Sequence, residues 1–148
     1  LKKEYGDLGI KIYHYTELIA PIMRDGTILP KTNYNKKIIY HDPCFLGKQN
    51  GIFDEPRDIL NSIDGLELLE FSRSRENSMC CEGGGGRMFF EVETSYRRNA
   101  EVRVSEAKEI GAEIIATSCP FCVMTLEEPA IEKGLEVKEI SEILMEVL

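Results

Sequence analysis

Lys37-Ile38-Ile39-Tyr40-His41 is a short β-branched run that reads as a strand, and Asp42-Pro43-Cys44 puts a cysteine three residues past its end. The arrangement recurs. Glu113-Ile114-Ile115-Ala116-Thr117 is followed by Ser118-Cys119, and Leu66 to Phe71 leads into the loop that carries Cys80-Cys81. Two further runs, Ile10 to Tyr15 and Leu135 to Ile140, also read as strands, for an expected total of five.

Helical patterns lie between these runs. Thr16 reads as an N-cap, with Ile19, Ile22 and Met23 on one face and Gly26 as the stop. Asp54, with Pro56 in the first turn, opens a helix to about Ile63. Met88, Val92, Tyr96, Ala100, Val104 and Ala107 repeat every three or four residues, so one long helix is predicted from Arg87 to Ile110, ended by Gly111. Two more are predicted near Phe121 and near Ser141, the latter burying Ile143, Leu144 and Val147. Strands alternating with helices imply crossover connections, so the expected fold is α/β: a mostly parallel sheet with helices on both faces, a Rossmann-like sandwich. In such sheets ligands collect at the carboxyl ends of the strands, where the cysteine loops fall.

The chain has 148 residues, 43% hydrophobic and 30% charged, which suits one globular domain over 1–148 and excludes a disordered chain. With 18 Lys and Arg against 26 Asp and Glu, the net charge is −8, and no basic stripe offers itself to nucleic acid. The longest uncharged run, Ile114 to Leu126, is well short of the roughly 18 residues a membrane helix needs. The chain opens at Leu1 on a polar stretch without the features of a secretory signal, so it is expected to be cut from a longer protein.

The five cysteines follow the pattern C-x35-C-C-x37-C-x2-C. An odd number argues against a disulfide framework and points to metal binding or redox chemistry. Cys119-Pro120-Phe121-Cys122 sets two sulfurs at a helix start, where free amides and the helix dipole favour thiolates. Cys80 and Cys81 suit a site that draws two sulfurs from one turn of backbone. Gly83 to Gly86 follow at once, allowing close approach to a bulky inorganic group and offering it amide donors. A thioredoxin-like CxxC leaves three cysteines unused, and a four-sulfur zinc site leaves one over. Iron–sulfur ligation takes the whole set most naturally. Without metal, the freed thiols are expected to oxidise within Cys119–Cys122 or between Cys44 and one of the adjacent pair.

The two histidines, His14 and His41, end candidate strands and read first as satisfied structural groups; His41, three residues before Cys44, is also placed to donate to a sulfur. Arg73, Arg75 and Arg87 either offset the charge of an anionic cluster or form a solvated surface. Glu82 adds negative charge beside the thiolates.

Tyr40-His41-Asp42-Pro43-Cys44-Phe45-Leu46-Gly47, Cys80-Cys81-Glu82-Gly83-Gly84-Gly85-Gly86-Arg87-Met88 and Ser118-Cys119-Pro120-Phe121-Cys122 together resemble the CCG, or cysteine-rich, domain of heterodisulfide reductases and related Fe–S oxidoreductases, among them iron–sulfur subunits of glycolate and lactate oxidation systems. Asp54-Glu55-Pro56-Arg57 and Gly111-Ala112 extend the likeness over nearly the whole chain. The resemblance implies a noncubane [4Fe-4S] cluster held by Cys44, Cys80, Cys81, Cys119 and Cys122; His41, Gly83, Gly84 and Arg87, read from their places beside the cysteines, are the expected surroundings. It also implies a redox module for electron transfer or disulfide reduction that works with a ferredoxin-like Fe–S domain or subunit and a second CCG domain. The fragment, the C-terminal copy in its parent, would be part of an oxidoreductase and inactive alone. Its location would be cytoplasmic, with a parent that sits at the membrane from that side. The one departure is Glu82, where the family signature has Gly. A structural zinc module for protein interaction is the competing expectation.

Overall fold

The computed structural model describes residues 6, 9–85, 89 and 97–148. In chain order the elements are α1 (Tyr15–Arg24), β1 (Lys37–His41), α2 (Asp54–Asn61), β2 (Glu67–Leu69), α3 (Asn99–Ile110), β3 (Ile114–Thr117), α4 (Pro120–Glu132), β4 (Glu136–Glu139) and α5 (Ile140–Val147). A π-helical turn over Phe45–Gln49 and a 3-10 turn over Arg75–Asn77 interrupt the loops after β1 and β2.

The four strands form one sheet in the order β2-β1-β3-β4, every pair parallel. β1 and β3 are central, in a register that sets Ile38 beside Ile114 and His41 beside Thr117. Because successive strand residues point to opposite faces, Ile38, Tyr40, Ile114 and Ala116 pack under α1, α2 and α5, while Ile39 and Ile115 pack under α3 and α4. Both faces are covered, which explains an uninterrupted apolar run instead of an alternating one. Each wholly buried Ile of these strands contributes roughly 1.5–3 kcal/mol.

Local chemistry fixes the helix ends. α3 stops at Gly111, whose φ of 93° is the left-handed cap conformation that glycine adopts at no steric cost. Cys119 is the N-cap of α4, with Pro120 at its first position. Glu139 and Glu142 form a reciprocal capping box at the start of α5.

Three expectations need correction. Ile10 to Tyr15 is not a strand, and the sheet has four members among the described residues: Ile10 and Tyr13 are exposed, and His14 is spent on capping α1. That cap is His14 and not Thr16, because His14 Nδ1 accepts the Thr16 N–H while the Glu17 carboxylate accepts the His14 N–H. The helix predicted from Arg87 begins only at Asn99, since Arg97 and Arg98 are not helical; Arg87, Met88, Val92 and Tyr96 lie outside the described residues. The remaining helices match the expected positions within a few residues.

Candidate metal centre

Three loops at the carboxyl edge of the sheet bring the cysteines together. Cys44 leaves β1 at the head of the π-helical turn, Cys119 caps α4 with Cys122 one turn inside it, and Cys80 and Cys81 arrive on the long loop after β2. All five thiols are free. Cys44, Cys81, Cys119 and Cys122 line one cavity of about 420 Å³, closed by Pro43, Phe45, Phe121 and the Gly83–Gly85 backbone. Cys80 is exposed and does not line this cavity, but it is close enough to Cys44 to interact with it.

The deepest contact is between Cys81 and Cys122, both buried, with sulfurs 3.2 Å apart. Two thiols at that separation share a proton. The hydrogen bond with Cys122 is the main reason the Cys81 thiol falls to about 4, against the opposing effect of burial; His41 adds a second hydrogen bond. Cys122 moves strongly the other way, because it keeps the proton for both Cys119 and Cys81. Cys119 falls to about 6 through its hydrogen bond with Cys122, helped by the N–H groups of Cys122 and Phe121 at the start of α4. Burial first, then Cys80 and Cys81, push Cys44 up. The helix start thus favours a thiolate at Cys119 but not at Cys122.

His41 is fully buried, and one of its ring nitrogens lies within 4.8 Å of the Cys81 and Cys122 sulfurs. Among the described residues its Nδ1 has no hydrogen-bond partner, nor has the Thr117 Oγ1 on the neighbouring strand. Buried polar atoms without partners are costly, and the sulfur donors of Cys44, Cys81, Cys119 and Cys122 around one cavity are the set that fits a thiophilic metal group. His14, in contrast, is satisfied by the α1 cap. Gly83 is buried against α4: a Cβ there would stand 2.6 Å from the Phe121 carbonyl oxygen and from Thr125 Oγ1. Only glycine lets the Cys81 loop lie this close to the helix that carries Cys122. Gly84 faces open space, and Gly86 and Arg87 lie outside the described residues.

The loops rest on a buried ion pair whose members both lie in family-like stretches of the sequence, though nothing there pairs them. Arg57 of α2 makes a two-pronged pair with Asp42, at 2.7 and 3.0 Å, and another with Glu70. Asp42 also accepts the Arg75 N–H, and its carbonyl accepts the Ser78 hydroxyl. The residue two before Cys44 therefore anchors the loop that delivers Cys80 and Cys81. The sequence signals are the likeness of the Tyr40–Gly47 stretch, which holds Asp42, and of Asp54-Glu55-Pro56-Arg57 to the family. Arg75 pairs with Asp54 at 2.8 Å. Arg103 is a residue the sequence does not flag: wholly buried, stacked 3.4 Å over the Phe71 ring, and pulled down to about 10 by burial. Phe71 in turn meets His41 edge-on.

The cysteine-rich domain (CCG) family model matches residues 38–127, the segment that spans every cysteine, and the chain belongs to that family. Among its relatives, a probable iron–sulfur-binding oxidoreductase FadF of Bacillus subtilis is 39% identical over 91% of this chain and 19% of its own length. EtfAB:quinone oxidoreductase of Syntrophomonas wolfei is 33% identical over 100% of the chain and 22% of its own length. One polypeptide of the dihydromethanophenazine:CoB–CoM heterodisulfide reductase of Methanosarcina barkeri is 34% identical over 96% of the chain and 35% of its own length. The chain thus spans about a third or less of these relatives. No helix among the described residues is long and apolar enough to cross a membrane.

Proposed function

We propose that the chain is an iron–sulfur redox module of a larger oxidoreductase, in which Cys44, Cys80, Cys81, Cys119 and Cys122 hold a noncubane [4Fe-4S] cluster. The observation that carries this reading is the single cavity lined by four sulfurs, with Cys81 and Cys122 in contact and unbonded, in a chain whose relatives are named as iron–sulfur oxidoreductases and heterodisulfide reductase subunits. A cluster held there supplies electron transfer.

The protein's own groups prepare the site. The Cys122 proton and His41 favour a thiolate at Cys81, and the amides of Cys122 and Phe121 do so at Cys119. Gly83 lets the loop close against α4, and the Asp42–Arg57 pair holds the Cys44 and Cys80–Cys81 loops in one frame. Phe45, Phe89 and Phe121 stand 70%, 73% and 50% exposed around the cavity, an apolar rim suited to a second cysteine-rich domain. Electrons would come from a ferredoxin-like Fe–S domain or subunit and pass to a disulfide or an organic acid couple. Residues 1–148 form one cysteine-rich domain, the C-terminal copy of its parent, and do not turn over substrate alone. Cysteines kept as cluster ligands need a reducing setting, and the reading therefore puts the module in the cytoplasm, with the parent at the membrane from that side.

A second reading has its own support: the His41, Cys81 and Cys122 donor atoms lie within 4.8 Å of one another, and a further sulfur would complete a tetrahedral zinc site. Metal and sulfide analysis of protein purified without oxygen separates the two. Iron and labile sulfide in about equal amounts support the redox module. About one zinc per chain with no iron overturns it in favour of the structural metal.

A further inference from the structure

We infer that Glu82 is a positioning residue for the metal centre: it ties the Cys80–Cys81 loop to the N-terminus of α3 and keeps a negative charge beside the bound cluster. The second part rests on the proposed iron–sulfur reading; the first does not.

The backbone is the first observation. Glu82 has φ of 66°, left-handed territory that side chains with a Cβ enter at a cost glycine does not bear. The cysteine-rich family's signature has glycine at this position, so the carboxylate must return something for the strain. The second observation shows what it returns. The N-cap of α3, Arg98, makes no side-chain capping bond among the described residues, and the first helical amide, Asn99 N–H, donates instead to Glu82 Oε2 at 3.2 Å from 17 positions away. Thirdly, the Glu82 N–H donates to Cys80 Sγ at 3.3 Å. One residue therefore bonds a cluster sulfur with its backbone and a helix terminus with its side chain.

The side-chain charge acts in two ways of the same sign, whereas the N–H donated to Cys80 favours reduction and is kept in any variant of the side chain. The carboxylate adds negative charge next to the Cys80 and Cys81 sulfurs, and it masks the positive end of the α3 dipole. Both effects oppose the addition of an electron to a cluster there. Removing the charge, or removing the whole side chain, makes reduction easier.

Two variants divide these roles. Glu82→Gln keeps an acceptor for Asn99 and loses the charge; Glu82→Gly loses both and relieves the backbone. In the intact chain loaded anaerobically with iron and sulfide, both variants should shift the midpoint potential upward. In the metal-free chain, amide exchange at Asn99 should accelerate about tenfold or more in Glu82→Gly and much less in Glu82→Gln. Unchanged potentials in both variants overturn the electrostatic role, and unchanged exchange at Asn99 in Glu82→Gly overturns the tether. If the wild-type chain takes up no iron, the iron–sulfur reading and with it the electrostatic role fall, while the exchange comparison still decides the tether.

Discussion

The sulfurs of Cys81 and Cys122 meet at 3.2 Å across 41 positions of sequence, one from a loop and one from the first turn of α4, and no bond joins them. Neither backbone spacing nor the CxxC signature points to this pair. It follows from Gly83, which lets the loop lie against the Phe121 carbonyl and Thr125. The oxidation product of the metal-free chain should therefore be a Cys81–Cys122 bridge, in place of the Cys119–Cys122 or Cys44 pairings that spacing alone suggests. Peptide mapping after mild oxidation checks this, and a dominant Cys119–Cys122 bridge would count against it.

Gly83→Ala should destabilise the fold by about 1–3 kcal/mol, because the new Cβ meets a backbone oxygen that cannot step aside. Gly84→Ala has open space and no left-handed φ, so it should be close to neutral. Urea melts of the two variants, run side by side, test the contrast; equal midpoints would show that the loop does not sit against α4.

The Arg57–Asp42 pair is nearly solvent-free, with side chains 5% and 2% exposed. Arg57→Met leaves Asp42 buried without its counter-charge and should cost about 3–5 kcal/mol, measured by chemical denaturation. A loss under about 1 kcal/mol would place this pair among weak surface ion pairs. Because Asp42 also holds the Arg75 amide, the same variant should loosen the loop that carries Cys80 and Cys81.

His14 supplies the pH-dependent element. Burial, opposed by Glu139 and Glu17, holds its imidazole below the ordinary value of 6.5, and its Nδ1 must stay unprotonated to accept the Thr16 amide. A lowered folded value means that the folded state favours the neutral ring. The contribution is then fully present above pH 6.5 and is lost as pH falls through the folded value. The protection of the Thr16 and Glu17 amides, taken relative to their intrinsic exchange rates, should fall on going from neutral pH toward about pH 5, and His14→Asn, which retains a capping oxygen, should remove that dependence.

Much of this is legible in the chain. The apolar runs around Ile38–Ile39 and Ile114–Ile115 announce strands buried on both faces, and a cysteine soon after each puts the sulfurs on one edge. Ile10 to Tyr15 misleads because its apolar residues imitate a strand, while pairing depends on a neighbour that the sequence does not reveal. The long helix expected from Arg87 fails at Arg97 and Arg98, where periodicity continues but the tethered start of α3 at Asn99 sets the boundary. Asp42, Arg57 and Arg103 are hidden for another reason. A buried charge has the same letter as a solvated one, and only its partners in space distinguish the two.

The central claim is that the five cysteines hold an iron–sulfur cluster, and spectroscopy of the chain reconstituted anaerobically with iron and sulfide tests it most directly. The wild type should carry about four iron and four sulfide per chain and give a paramagnetic signal on oxidation. Cys81→Ser should lose that signal in proportion to its lost iron. A signal of undiminished size and shape in Cys81→Ser, or a wild type that takes up zinc and no iron, would contradict the account.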